Sequence, residues 1–404
     1  MNASSNSHFL DHLRSEALGL PESGIVEVMN IGRNRQGLIP LWVGEGDVPT
    51  PEFICDAAQA SLRAGETFYT YQRGIPDLRS AIADYCTRIY GELHGKPFSP
   101  ERFFVTIGGM HAIQTAVRMI AGGGDEILVP TPAWPNFAGA LIAAGARPVD
   151  VPMVLAERNG QAANWFLNSD DLERVVTPAT RGIIINSPSN PTGWTATRAE
   201  LQQILDFARA RNIWIIADEI YGRIVYDGTR APSFHDIMQP DDKIMFVQTL
   251  SKNWAMTGWR IGWLEAPPEM GQIIENLIQF SSSGVPVATQ RAAIAALNQG
   301  EAFVAAQLVK LRGNRALICD ALKGARGVHF AMPAGAFYLF CRIDGAEDTR
   351  KLAFELIEQA NLGVAPGSAF GTGAEAYIRI CFARKPEDMI EVARRLRQWL
   401  GQRD

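Results

Sequence analysis

The most specific chemistry in this chain belongs to a lysine at the end of an apolar run. The stretch IMFVQ leads into Thr249, Leu250, Ser251 and Lys252, and Arg260 follows after Asn253–Trp259. An amine flanked by hydroxyls and followed by a guanidinium suits a carbonyl-type cofactor bearing a phosphate. Lys252 can form an imine, while Thr249, Ser251 and Arg260 can hold the phosphate through charge-assisted hydrogen bonds. Taken alone, such a lysine reads as a solvated surface residue. Three further runs end on polar or glycine-rich segments. FFVTI leads to Gly108-Gly109-Met110, whose bare N–H groups opening a helix could bind phosphate or simply form a tight turn. IIIN leads to Ser187-Pro188-Ser189-Asn190-Pro191-Thr192-Gly193, where two prolines and a glycine fix a loop that presents the Asn190 amide. IWIIA leads to Asp218, with Tyr221 three residues on. A lone aspartate there would be a helix cap. Each segment has a local explanation. Four strand ends that each offer a part for one ligand, in a compatible order, do not.

The elements that must position these residues are visible as alternating patterns. From residue 103 to about 265, short Val- and Ile-rich runs (FFVTI, EILVP, RGIIIN, IWIIAD, IMFVQTL, IGWLEA) alternate with helical segments such as HAIQTAVRMI and RAELQQILDFARARN. Continuous apolar strands between helices predict a largely parallel sheet covered on both faces, with ligands at the carboxyl ends of its strands. Before this region, LWVGEGDVPTP reads as a short strand running into a Gly/Pro turn, and Pro76–Tyr90 as an amphipathic helix with Leu78, Ile82, Tyr85 and Ile89 on one face. After residue 266 the pattern is more helical: one long helix is expected from about Thr289 through residue 320, then an α+β unit with AFYLFCRI and AYIRICFA as strands. The expected fold is α/β: a large domain with a mostly parallel sheet over residues 51–289, and a smaller α+β domain built from 1–50 and 290–404.

Size and charge narrow the function. A chain of 404 residues exceeds one compact core. A net charge of -5 argues against nucleic acid as a partner, because no basic face could neutralise phosphates. No apolar run approaches the roughly 20 residues that span a bilayer. The start, MNASSNSHFLDHLRSE, has no basic region followed by an apolar stretch, so no signal segment is expected. The five cysteines (Cys55, Cys86, Cys319, Cys341, Cys381) are scattered, without a CxxC pair. They read as reduced packing residues of a cytoplasmic protein, with no metal site.

The blocks SPSNPTG, ADEIYG, TLSKNWAMTGWRIGW and PGSAFG…YIRI, in this order, resemble the class I/II aminotransferases. These are fold-type I enzymes that depend on pyridoxal 5'-phosphate (PLP), and the chain is similar to the bacterial branch of the aspartate aminotransferase superfamily. The similarity runs from LWVGEGDVPTP to YIRICFA. It implies that Lys252 joins the cofactor and later moves the proton. It implies that Asp218 pairs with the pyridine nitrogen, and that Asn190 and Tyr221 contact the ring hydroxyl. Gly109, Met110, Thr249, Ser251 and Arg260 would surround the phosphate, and Trp134 in PTPAWPNF would stack on the ring. Tyr69 in FYTYQRGIPDLR would reach the phosphate of a partner subunit, so a homodimer with shared sites is expected. Arg379 would grip the substrate α-carboxylate, with Gly44 as a backbone donor opposite it and Asn190 beside it. The physics agrees: an anionic Asp218 keeps the ring protonated as an electron sink, and a planar carboxylate suits a planar guanidinium.

The implied reaction is transamination between an amino acid and a 2-oxo acid by a ping-pong route. Carbon–sulfur β-lysis or decarboxylation on the same machinery is the alternative. A DNA-binding sensor of the same fold would need a further domain, and only about forty residues precede the first strand. Three positions depart from the family pattern. Thr249 replaces a serine, Gly46 replaces the proline of a G-E-P-D turn, and Met110 stands where some aspartate-specific relatives carry a lysine. Without that lysine, only Arg33 and Arg35 could serve a distal carboxylate, so a neutral or apolar side chain is the expected preference.

Overall fold

The computed structural model describes residues 10–158 and 160–403. The expectation of no signal segment at the start rests partly on residues 1–9, outside the described ones. Among the described residues, seven strands make the large sheet: β1 (Phe103–Thr106), β2 (Glu126–Thr131), β3 (Arg147–Pro152), β4 (Thr180–Asn186), β5 (Trp214–Asp218), β6 (Ile244–Thr249) and β7 (Gly262–Glu265). Their order is β1-β7-β6-β5-β4-β2-β3. Only β7 runs antiparallel to its neighbours. Every residue of β1 and β7, and all but one of β6, is buried. That is why these strands read as unbroken apolar runs rather than alternating ones.

Register aligns the functional ends. Asn186 pairs with Asp218, and Asp218 with Val247, so the chain leaves β4, β5 and β6 side by side. The helices that matter here are α1 (Gly24–Gly32), α2 (Glu52–Arg63), α3 (Pro76–Tyr90), α4 (Gly108–Ile120), α5 (Val287–Gln299), α6 (Glu301–Leu322) and α7 (Pro386–Leu400). Helix α3 has the predicted bounds: Pro76 opens it, where a missing N–H does no harm, and Leu78, Ile82 and Tyr85 are buried.

The smaller unit is a four-stranded antiparallel sheet of β8 (Val328–Phe330), β9 (Tyr338–Ile343), β10 (Ala365–Pro366) and β11 (Tyr377–Cys381), ordered β8-β9-β11-β10. Arg379 sits in β11, opposite Phe340 on one side and Ala365 on the other.

Two expectations are corrected. The segment LWVGEGDVPTP is not a strand: the only ladder nearby is Ile39–Pro40, parallel to Leu362–Gly363. Past it, the Leu41 carbonyl accepts from the Cys381 N–H at 3.0 Å and the Trp42 carbonyl from the Arg379 guanidinium, so the backbone is diverted toward the small sheet. The long helix from Thr289 is two helices, α5 and α6, broken at Gly300. A Cβ there would lie 2.2 Å from Trp254 Nε1. Helix α5 packs on α2 and α3, and α6 packs on α7. Among the described residues, no helix is long and apolar enough to cross a membrane.

Candidate active site

The carboxyl ends of β4, β5 and β6 meet the small sheet at a cleft of about 530 Å³. Lys252 stands just beyond β6 and donates from Nζ to the Gly44 carbonyl at 2.6 Å. Its ammonium lies 6.0 Å from the centre of the Tyr221 ring. Burial lowers the Lys252 pKa to about 8, which brings a free amine within reach near neutrality.

Asp218 ends β5 and is 1% exposed. One carboxylate oxygen accepts from the Ile220 N–H at 3.3 Å, while Oδ2 is buried without a partner in the protein. Burial pushes its carboxyl up to about 7, against the opposing pull of that N–H and of Lys252. A buried acceptor without a donor fits a protonated ring nitrogen at that atom. Asn186 steadies this strand end by donating to the Asp218 carbonyl at 3.1 Å and accepting from the Asn190 N–H at 2.8 Å.

A second cradle lies at the start of α4. A Cβ on Gly108 would sit 2.6 Å from Arg260 Nη2, and one on Gly109 would sit 3.7 Å from the Thr249 Cβ. The Thr249 and Ser251 hydroxyls are 2.9 Å apart, and Ser251 N–H donates to Thr249 Oγ1 at 3.2 Å. Arg260 has φ 54°, a left-handed conformation, and donates to the Thr257 carbonyl at 2.7 Å. Helix N–H groups, two hydroxyls and a guanidinium around a gap kept free of side-chain carbon fit a phosphate. Met110 is the third residue of α4, and its sulfur lies 3.7 Å from Asn136 Nδ2.

Arg379 is 2% exposed and lies over the rings of Tyr338 and Phe370, 4.7 and 5.0 Å from their centres. It donates to Asn190 Oδ1 at 2.9 Å, and its Nε is buried without a partner. Trp134 and Gly44 line the same cleft. The structure thus brings together Lys252, Asp218, Tyr221, Asn190, Arg379, Trp134 and Gly44 around one space, with the cradle of Gly109, Thr249, Ser251 and Arg260 built on the adjoining strand ends. Tyr69 is apart from them. It is 97% exposed, on a segment with Phe68 and Tyr71.

Two residues of the cleft escaped the sequence reading. Tyr338 shares a 2.7 Å hydrogen bond with the Tyr221 hydroxyl, and the bare Cα of Gly44 makes room for its ring oxygen. It looked like any aromatic in a buried strand. Asn186 had a faint signal, as the polar end of an apolar run. Of the proposed distal cations, Arg35 is committed to Asn361 Oδ1 at 2.5 Å and the Glu358 carbonyl at 3.0 Å. Arg33 is exposed, 4.0 Å from the Met29 sulfur.

The family model for class I and II aminotransferases matches residues 36–396. An aromatic-amino-acid aminotransferase from Thermococcus litoralis is 33% identical over 94% of this chain and 96% of its own. An aspartate aminotransferase from Pyrococcus horikoshii is 32% identical over 96% and 97%. Among solved structures, an aspartate aminotransferase from Thermotoga maritima superposes with a TM-score of 0.87 at 30% identity, covering 96% of this chain and all of that one. With a match of this extent and the geometry above, the chain belongs to the class I and II aminotransferases, the pyridoxal-phosphate enzymes that move an amino group between an amino acid and a 2-oxo acid.

Proposed function

We propose that this aminotransferase acts on amino acids with a large neutral side chain, and that its site residues take the roles their positions suggest. The observation that carries the substrate reading is the charge of the cleft wall. Among the described residues that line it, the cations are Lys252 and Arg379, and both have other work. Helix α1 contributes Ile25, Val26 and Met29 to the wall, and Trp134 lines it as well. A distal carboxylate buried there would have no partner and would be costly, whereas an aliphatic or aromatic side chain would be sheltered from water.

When bound, PLP supplies the aldehyde carbon and the electron-withdrawing ring. The chain's own groups do the rest. Arg379, held by Asn190 and the Trp42 carbonyl, fixes the substrate α-carboxylate and so points its α-hydrogen. The Lys252 amine, free to leave the Gly44 carbonyl, takes the proton and returns it one position away. Asp218, whose Oδ2 is buried without a partner, would hold the ring nitrogen, and the Tyr221 hydroxyl would serve the ring oxygen. The exposed run of Phe68, Tyr69 and Tyr71 supports a second copy covering this surface and receiving Tyr69 at its phosphate. All five cysteines are free, which supports a reducing compartment such as the cytoplasm.

Steady-state kinetics on phenylalanine, methionine, alanine, glutamate and aspartate tests the substrate reading. Phenylalanine or methionine should give the highest kcat/KM. If aspartate leads, and Arg33→Ala alone removes its lead, the reading is wrong and Arg33 is the missing cation.

A further inference from the structure

Glu219, the residue after Asp218, does not line the cleft. Its carboxylate is buried and joins a chain of hydrogen bonds through the interior. Ser233 Oγ lies 2.9 and 2.8 Å from the two Glu219 oxygens and 2.9 Å from His235 Nδ1. His235 Nε2 lies 2.9 Å from Glu265 Oε2, and Glu265 Oε1 accepts from Arg102 Nε at 3.0 Å. The His235 ring stacks on Phe246 of β6 at 3.7 Å and is 3% exposed on its side chain. The Phe234 N–H also donates to Glu219, at 3.3 Å.

Counting donors limits what this chain can be. Burial would raise the Glu265 carboxyl, but His235 and Arg102 outweigh it and keep it ionised, so His235 Nε2 must donate to it. Ser233 has one hydroxyl hydrogen and two neighbours to satisfy. In one state Ser233 donates to an ionised Glu219 and His235 donates from Nδ1 to Ser233, so the imidazole is charged. In the other, a protonated Glu219 donates to Ser233 and Ser233 donates to a bare Nδ1, so the imidazole is neutral. Passing between them breaks the Nδ1–H bond as one Ser233 O–H bond forms, and breaks the other Ser233 O–H bond as the Glu219 O–H bond forms. Glu219, His235, Glu265 and Arg102 together are neutral in both states. The move only shifts charge toward or away from Asp218.

We propose that Glu219, Ser233 and His235 form a buried proton relay that matches the charge beside Asp218 to the charge on Asp218. An ionised Asp218 repels a second carboxylate one residue away, so the proton goes to Glu219. A neutral Asp218 lets Glu219 ionise, and His235 takes the proton. His235 is thus a positioning residue that acts through Ser233 and Glu219. Burial raises the Glu219 carboxyl to about 7, so it can hold the relay's proton near neutrality. The other polar groups around the relay do not break it. Arg230 is neutralised by Asp236 at 2.6 Å, Asp236 accepts from the Ser233 N–H at 2.9 Å, and the Tyr90 ring lies 4.5 Å from His235. Burial keeps the Tyr90 hydroxyl and the Cys86 thiol uncharged. The relay builds on the reading of Asp218 as the partner of the ring nitrogen.

Nitrogen-15 NMR of histidine-labelled holoenzyme tests it, with the His235 signals assigned by their loss in His235→Gln. Glu219→Gln should lock His235 neutral with its proton on Nε2. Asp218→Asn should raise the doubly protonated share above that of the wild type. His235 in one unchanged state in all three proteins would overturn the relay. In a second arm, Ser233→Ala should lower kcat about tenfold, the size of one lost hydrogen bond, with KM little changed. It should also shift the pH midpoint of the bound cofactor's visible absorbance. Wild-type kcat with an unmoved midpoint would again overturn the proposal. Should Ser233→Ala not fold, His235→Gln, which leaves Arg102 on Glu265, carries the same expectation. If Asp218→Asn keeps full activity while His235 still responds to both substitutions, the ring assignment fails and the relay stands.

Discussion

Tyr338 and Tyr221 share one hydrogen bond between two hydroxyls, and only one of them can donate it. If Tyr338 donates, the Tyr221 hydrogen is free to point at the cofactor's ring oxygen. Tyr338→Phe keeps the ring beneath Arg379 and removes only that donor. Its kcat should fall about tenfold with KM for each amino acid little changed, and an unchanged kcat would show that Tyr338 only fills space. Asp218 carries two effects of opposite sign. Asp218→Asn would remove the proposed anionic partner of the ring, and breaking such a buried pair should lower kcat by roughly 10²–10⁴. In the cofactor-free protein the same change stabilises. Burial raises the Asp218 carboxyl to about 7, so the folded chain binds more protons than the unfolded one from the ordinary carboxylate range up to that pH. Stability is therefore fully present at the acid end and drains as pH rises through about 7. An amide at this position cannot ionise, so the melting temperature of the cofactor-free Asp218→Asn protein should match the wild type in acid and exceed it by several degrees above neutrality. Parallel melting curves across pH would show that the carboxyl is not strained by burial.

At the scale of elements, the break between α5 and α6 decides how the two parts of the molecule join. Gly300 closes α5 through its N–H to the Ala296 carbonyl at 2.9 Å, and its bare Cα faces the Trp254 indole. Trp254 is 0% exposed and follows Lys252 by two residues, so this contact ties the start of α6 to the lysine loop. Gly300→Ala would drive a methyl into the indole and should cost about 1–3 kcal/mol, read as a lower urea midpoint with unchanged slope. No loss would mean that the indole can move aside. Because α5 packs on α2 and α3 while α6 packs on α7, we propose that the small domain begins at Gly300. A boundary after residue 289 would cut through α5. The sequence hides this break because its alanines and leucines continue on both sides of Gly300, and one glycine does not end a helical pattern. Helix α3 was legible to the residue because a proline starts it and its apolar positions recur on one face.

At the scale of the whole molecule, the proposed cleft is incomplete if Tyr69 belongs to a neighbouring copy. Tyr69 is almost fully exposed, beside Phe68 at 85%, and both border a hollow with Leu62 and Val285. A two-fold dimer would bury this surface twice. Lys252→Ala and Tyr69→Phe chains, each inactive or nearly so, should recover activity when mixed and allowed to exchange. One site of a mixed pair then has both residues intact. An active monomer by light scattering would exclude shared sites.

What the sequence determined alone was the chemistry and the sheet that carries it. Lys252, Asp218, Asn190 and Arg379 each sit in a short block whose flanking residues are dictated by local backbone needs, and buried parallel strands announce themselves by unbroken apolar runs. What it could not determine depends on neighbours distant in the chain. Tyr338 meets Tyr221 only because the segment after β5 lies against the segment that leads into β9, where Val225 bridges Gly335. The ladder of Ile39 and Pro40 stops before Leu41 and Trp42, whose carbonyls are taken by Cys381 and Arg379. Arg35 is withdrawn from the cleft only because Asn361 holds it. His235, Glu265 and Arg102 form one network from three separated segments. Each outcome is a choice of hydrogen-bond partner or packing neighbour far away in the chain, and no local pattern encodes it.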